Sequence, residues 1–324
     1  MSAPLKASVL ITGAAGYLGQ VVLQQLVQHR EKFRQLVAMD IREVDLAQRH
    51  DGVVYVCADI RSAEMPALFK KYNIDIVVHL AAIVTPGRQS NRELEYAVDV
   101  LGTENVLKAC VAAGVRKIIV TSSGAAYGYH SDNPAWLQET DALRGNEEFA
   151  YSHHKRLVEE MLGRYREQYP QLQQLIFRPG TMLGKNVRNQ ITALFEKKFV
   201  LGLRGAASPF VFIWDQDVTA CIVKGILENK TGIYNLAGDG ILSMKEIAQL
   251  LHKPYLRLPV TLVKSVLWLL RKLRFSQYGP EQINFLRYRP VLANQKLKTE
   301  FGYTPLLTTR EVFEYYLKAR RNEL

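Results

Sequence analysis

Through the first half of the chain, short apolar runs alternate with longer segments whose apolar positions recur at helical spacing. Residues 8–11 form a first strand that runs straight into a glycine turn, and residues 20–28 read as a helix. A second strand over 35–39 ends at Asp40, and a third over 53–56 has Asp59 just beyond it. Residues 75–80 form a fourth strand, followed by Ala81 and Ala82. A long helix over 92–113 leads to a fifth strand at 117–120, which ends at Ser122-Ser123. A helix over 149–168 precedes a sixth strand at 174–177, stopped by Pro179. Such alternation implies right-handed crossovers and an α/β fold: a doubly wound parallel sheet that binds ligands at the carboxyl ends of its strands. Gly13, Asp40, Asp59, Ala81 and Ser123 all fall at those ends.

After Pro179 the rhythm loosens. Residues 186–207 hold a short helix and a basic loop, 210–213 reads as a strand, 217–228 as a helix and 232–236 as a short strand. Ser243, with Glu246 three residues on, forms a capping box for a helix reaching Leu251. The tail is mostly helical over 258–273, 278–286 and 308–320. This pattern predicts a doubly wound, Rossmann-type domain over 1–180, with 210–237 returning to it. Residues 181–209 and 238–324 are expected to form a smaller, mostly helical cap that selects the substrate.

Composition narrows the class. With 324 residues the chain can bury a large core, and 48% hydrophobic with 23% charged residues fits a globular protein. Cys57, Cys110 and Cys221 are scattered, with no Cys-x-x-Cys pair, which argues against a disulfide framework or a zinc site and predicts a reducing cytoplasm. Residues 1–6 are too short and polar for a signal peptide. The formal charge of +11 admits nucleic acid, membrane surface or phosphorylated substrates. No block of five Lys or Arg occurs, so a basic, solvated surface without nucleic acid is the reading adopted.

Three features carry chemistry. In Gly13-Ala14-Ala15-Gly16-Tyr17-Leu18-Gly19, Gly13 allows a tight turn, Gly16 lets the backbone approach a pyrophosphate, and Gly19 lets helix pack on strand. The helix start then offers free N–H groups and a positive dipole end to phosphates. Asp40 lies 21 residues past Gly19, where a carboxylate binds an adenosine ribose and repels a 2′-phosphate, favouring NAD. Arg42 leaves NADP open. Finally, Tyr151 and Lys155 stand four apart on one helical face, as a phenol tuned by an ammonium requires.

With these motifs in place, the chain resembles the extended short-chain dehydrogenase/reductase family of NAD-dependent epimerases, dehydratases and 3β-hydroxysteroid dehydrogenases. The resemblance also rests on Asp59-Ile60, His79-Leu80-Ala81-Ala82, Gly102-Thr103-Glu104-Asn105-Val106-Leu107, Thr121-Ser122-Ser123 with Tyr127-Gly128, and Arg178-Pro179. It implies Tyr151 as acid/base, Lys155 on the nicotinamide ribose, and Ser123 on the reacting oxygen. Cofactor contacts are implied for Gly13, Gly16, Tyr17, Leu18, Gly19, Asp40, Ile41, Arg42, Asp59, Ile60, Leu80, Ala81, Ala82, Asp99, Thr121, Tyr151, Lys155 and Pro179, and substrate contacts for Ser123, Tyr151 and Thr181. A free phenol near pKa 10 is a poor base at neutral pH, and the Lys155 ammonium is expected to favour the phenolate. His153 and His154 are read as packing or dimer-face residues, and His79 as structural.

The chain also departs from the family pattern. Asp99 stands where an asparagine is usual, Phe210 where nucleotide-sugar enzymes place an arginine against the diphosphate, and Trp214 in place of a polar ring. Arg289-Pro290 retains part of a C-terminal Arg-Pro motif, while Lys185, Arg188 and Arg204 offer other cations. A nucleotide-sugar epimerase or dehydratase is the leading reading. A dehydrogenase of a steroid- or lipid-like alcohol is the alternative, favoured by Phe210, Trp214 and the greasy segment 260–270 with Lys264, Arg271, Lys272 and Arg274. That segment is read as a cap helix buried against its neighbours, with membrane contact the lesser option. A non-catalytic dinucleotide sensor is the third reading. Apolar residues on more than one face of helices 92–113 and 149–168 predict a homodimer through both.

Overall fold

The computed structural model describes residues 6–84, 91–273 and 279–321. The strands are β1 (Ala7–Thr12), β2 (Phe33–Asp40), β3 (Val53–Cys57), β4 (Ile76–His79), β5 (Lys117–Thr121), β6 (Gln173–Pro179), β7 (Thr181–Leu183), β8 (Val200–Leu203), β9 (Phe212–Trp214), β10 (Gly232–Leu236) and β11 (Tyr255–Leu258). The α-helices are α1 (Tyr17–Val27), α2 (Met65–Lys71), α3 (Arg92–Tyr96), α4 (Thr103–Ala113), α5 (Ala150–Gln168), α6 (Gln190–Phe195), α7 (Asp215–Leu227), α8 (Met244–Leu250), α9 (Val260–Lys272), α10 (Gln282–Arg287) and α11 (Thr309–Arg321).

Seven strands form one parallel sheet in the order β3-β2-β1-β4-β5-β6-β10. Because successive strand residues point to opposite faces, each strand feeds two cores. Val9, Ile11, Leu36, Ala38, Ile119 and Leu175 pack with Val22 and Leu26 of α1 and Val218 and Ile222 of α7. Leu10, Val37, Val77, Ile118 and Ile176 pack on the other face with Phe69 of α2, Val106 and Leu107 of α4, and Val158 and Leu162 of α5. Register aligns the carboxyl ends: Thr12 stands opposite Met39 and His79, His79 opposite Val120, and Thr121 opposite Phe177.

The remaining elements surround an aromatic cluster. Phe195, Phe210, Phe212, Phe313 and Tyr316 pack with Leu183, Ile247 and Val312. Ser243 and Glu246 cap α8 reciprocally, the arrangement their spacing predicts. Four details differ from the sequence reading. The helix expected over 92–113 is divided by a π-helical stretch, Ala97–Gly102, which sets Asp99 and Val100 inward. The loop expected after α6 contains β8, paired parallel with β11. Phe210 precedes β9 and meets only Leu242 in an isolated antiparallel bridge, since its side chain is committed to the cluster. Finally, α9 is not a buried cap helix, because within it only Val263 is buried. Tyr278 and Arg274 lie outside the described residues.

Candidate functional site

β1 ends at Thr12, and Gly13 turns the chain with φ of 71°, a left-handed conformation that glycine adopts without strain. A Cβ there would stand 2.7 Å from the Ala81 backbone nitrogen, so the turn and the Leu80-Ala81-Ala82 loop touch backbone to backbone. A Cβ on Gly19 would collide with the Gly13 carbonyl. Gly16 meets little but that same carbonyl, at 3.1 Å, which leaves its outer side open. No side chain caps the α1 N-terminus at Gly16, so its first N–H groups face outward with the helix dipole behind them. These residues fit a dinucleotide pyrophosphate. Tyr17 turns elsewhere: its hydroxyl donates to Asp215 at the start of α7, and burial raises its pKa well above the usual phenol value.

Asp40, at the end of β2, is buried with its carboxylate held by backbone. Its Oδ2 accepts from Ala15 N at 3.0 Å and its Oδ1 from Arg42 N at 3.0 Å. The Arg42 guanidinium folds back to the same oxygen at 3.3 Å, so this cation is engaged by the carboxylate beside it; Ile41 is exposed. Asp59 is gripped by Arg61 at 2.6 Å, which lowers its pKa through that hydrogen bond. Asn105 donates to the carbonyls of Ile60 and Ser62 at 2.7 and 2.8 Å, fixing the loop after β3.

Leu80, Ala81, Ala82, Asp99, Thr121 and Lys155 line one pocket together with His79, Thr103, Val120 and Val158. Lys155 is buried, its Nζ 3.0 Å from the Thr121 carbonyl it donates to and 5.6 Å from the centre of the Tyr151 ring. Burial lowers its pKa, while the Asp99 and Glu159 carboxylates oppose that shift. Burial pushes the Tyr151 phenol up to about 12; Ser123, within hydrogen-bonding reach, works against the rise, and the Asp99 charge adds to it. Burial thus works against the phenolate expected from the Lys155 ammonium. Ser123 also accepts from Ala125 N at 3.1 Å, which orients its hydroxyl over the short turn Gly124–Tyr127.

Beneath these groups lies a buried network. Arg178 meets Glu159 at 2.6 Å and Tyr127 at 2.8 Å; Ser122 donates to Glu159 at 2.6 Å, and Tyr127 donates to Asn235 at 2.9 Å. It binds β5, β6, β10 and α5 together, and removing one partner of such a buried pair costs about 3–5 kcal/mol. Ser152 donates to the Ala125 carbonyl at 2.6 Å, seating the start of α5 on the serine turn.

His79 is structural. Thr103 donates its single hydroxyl hydrogen to the Asp99 carbonyl at 2.6 Å, so it can only accept from His79 Nε2, 3.0 Å away. Nδ1 then accepts from Thr12 at 2.7 Å, which defines a neutral ring. Burial lowers its pKa to about 3, with Lys155 adding to the shift and Asp99 opposing it.

Sequence reasoning did not foresee two pairings. His154 lies buried with its Nδ1 3.2 Å from Asp99 Oδ2, so it packs inward and forms no part of an outer face. Arg289 stacks its guanidinium 3.9 Å from the Phe210 ring centre and reaches Thr181 at 3.3 Å. Its Nη1 is buried without a hydrogen-bond partner among the described residues. Burial raises the Tyr129 hydroxyl to about 12, with the Arg289 charge opposing the rise and Tyr151 adding to it. The signal was present in Arg289-Pro290, but nothing local joins it to Phe210 or Thr181.

This fold and pocket define a dinucleotide-binding oxidoreductase. The chain belongs to the NAD dependent epimerase/dehydratase family, whose sequence model matches residues 9–218. It is accordingly an NAD-dependent enzyme. Among curated relatives, an uncharacterized protein of Mycobacterium bovis is 24% identical over 319 residues, covering 96% of this chain and 84% of its own length. A 3beta-hydroxysteroid-dehydrogenase/decarboxylase of Arabidopsis thaliana is 23% identical over 345 residues, covering 93% of this chain and 60% of its own length. Among solved structures, the UDP-glucose 4-epimerase of Thermotoga maritima with UDP-glucose has a TM-score of 0.74 at 16% identity, covering 98% of this chain and 99% of that one.

Proposed function

We propose that the protein binds NAD and reacts at a secondary alcohol carbon of a nucleotide-linked sugar, as an epimerase or dehydratase. NAD, when bound, accepts the hydride from that carbon and can return it. Tyr151 takes the alcohol proton, Ser123 donates to the reacting oxygen, and Lys155 turns its remaining N–H groups to the cofactor ribose. Asp40 holds the adenosine ribose, the Gly13–Gly19 turn holds the pyrophosphate, and the Leu80-Ala81-Ala82 loop, Ile60 and Pro179 close around them. Residues 181–209 and 238–324 form the substrate-binding cap.

One observation carries the substrate class: the buried Nη1 of Arg289, without a hydrogen-bond partner among the described residues, beside Thr181. A desolvated guanidinium donor is unfavourable until an anion meets it, and a diphosphate supplies oxygens in the matching geometry. Two of the residues that favoured a hydrophobic substrate are otherwise engaged. Phe210 packs in the cap cluster under Arg289, and Trp214 packs edge-on against Tyr315. Calorimetry with UDP tests the assignment. UDP is expected to bind, and Arg289→Ala to weaken it by about ten- to a hundredfold, the worth of a charged hydrogen bond. NAD binding by the variant checks its fold. Unchanged UDP affinity in Arg289→Ala, or no UDP binding by the wild type, overturns the assignment.

We further infer a homodimer in a reducing cytoplasm. Val106, Leu107, Val158, Met161 and Leu162 cover the sheet, whereas Leu94 of α3 and Leu101 of the π-helical stretch remain exposed and Leu157 and Tyr165 of α5 are half-buried. A two-fold contact would cover that strip. Light scattering at micromolar concentration is expected to give twice the chain mass, and a monomer mass would refute it.

A further inference from the structure

Helix α9 is apolar on two sides, and the fold uses only one. Val260, Val263 and Leu267 turn inward with Leu203, Leu258, Ile283 and Leu286. Leu262, Val266, Leu269 and Leu273 follow the spacing i, i+4, i+7, i+11 and form a second stripe along the helix. Their relative exposures are 49, 47, 49 and 52%, so the stripe is open to solvent along its full length. Trp268, about a quarter-turn round the helix from Leu269, is 54% exposed, with the Lys272 ammonium 4.9 Å from its ring centre. Leu256, on the adjoining β11, is exposed as well.

The charge around the stripe selects an occupant. Lys264, Arg271 and Lys272 lie on α9, Arg257 on β11, and α9 itself contains no acidic residue. Arg271 is paired with Glu281 at 3.1 Å; Lys264, Lys272 and Arg257 are exposed. A second copy meeting this face about a two-fold axis would bring the same cations against themselves in a desolvated contact. A surface that is apolar below and anionic above meets every group present: the leucines enter the acyl boundary, the tryptophan sits at headgroup level, and the lysines extend toward phosphates. At 13 residues α9 is too short to cross a bilayer, and no helix of the described residues is long and apolar enough to do so.

We propose that α9 lies in the plane of an anionic phospholipid membrane, inserting Leu262, Val266, Leu269 and Leu273 with Trp268 at the edge, so that the enzyme is a peripheral membrane protein. The full chain is tested by flotation with phosphatidylcholine vesicles, with and without phosphatidylglycerol. Wild-type protein is expected to float with the anionic vesicles and to be released by salt. The double variant Val266→Glu, Leu269→Glu and the double variant Lys264→Glu, Lys272→Glu are each expected to lower the bound fraction about tenfold or more. Both pairs are exposed and distant in sequence from the cofactor residues, so NAD binding and thermal unfolding are expected to match wild type. Absence of flotation with anionic vesicles, or flotation undiminished in both variants, overturns the proposal. A light-scattering mass that falls in the Val266→Glu, Leu269→Glu variant overturns it too, and would assign the stripe to a second copy.

Discussion

The Asp99 carboxylate bridges two elements that converge on the pocket, accepting from Ile83 N at 2.8 Å through Oδ1 while Oδ2 meets His154 Nδ1 at 3.2 Å. An asparagine at 99 could make either contact with half its amide but would carry no charge. Here the charge is buried and partnered by a histidine, and it makes the Tyr151 phenol harder to ionise. Asp99→Asn is therefore expected to shift the acidic limb of the kcat/KM profile to lower pH, with NAD still bound. A superimposable profile would mean that the charge is not felt at the phenol.

Tyr151→Phe is expected to reduce turnover by about a hundredfold or more, the range for a positioned acid/base, while NAD binding stays within a few-fold. In the proposed reaction the phenol carries the transferable proton, whereas the glycine turn, Asp40 and Lys155 are assigned to the cofactor. Single-turnover absorbance of reduced cofactor separates the two effects. Turnover near wild type would remove Tyr151 from the chemistry.

Asp40→Ala deletes a carboxylate whose two oxygens are already anchored by Ala15 N and Arg42 N. NAD affinity is expected to fall about tenfold, and the freed Arg42 to raise use of NADP relative to NAD. Competitive titration of both cofactors measures the ratio. A constant ratio would place cofactor choice elsewhere.

His79 gives stability a pH signature. Its folded pKa is depressed to about 3 from an ordinary 6.5, because burial opposes the charged ring. Its contribution is fully present above about pH 6.5 and is lost as pH falls toward 3, since the unfolded chain accepts a proton that the folded chain refuses. His79→Gln is thus expected to be less stable than wild type at pH 7.5, with the gap narrowing at pH 5. Urea midpoints at both values test this, and a constant gap would show that the ring does not titrate on unfolding.

The order of strands and helices to Pro179 was legible because parallel strands covered on both faces leave continuous apolar runs, and their crossover helices leave a 3.6-residue period. Gly13, Asp40, Asp59, Ala81 and Ser123 could be placed at the strand ends, and Tyr151 and Lys155 on one helical face, for the same reason: each lies within a few residues of, or inside, the element that carries it. Tertiary structure alone decided what depends on distant segments meeting. It joined Arg289 to Thr181 and Phe210, His154 to Asp99 and Tyr17 to Asp215, contacts spanning 55 to 198 residues. It also decided which apolar face of α9 is covered. The helix displays the same leucine-rich pattern on both sides, and only the arrival of β8 and α10 against Val263 distinguishes the packed side from the open one. Periodicity reports which residues share a face, but burial is a property of what that face meets, and desolvation, which sets the Tyr151 and His79 pKa values, follows from burial.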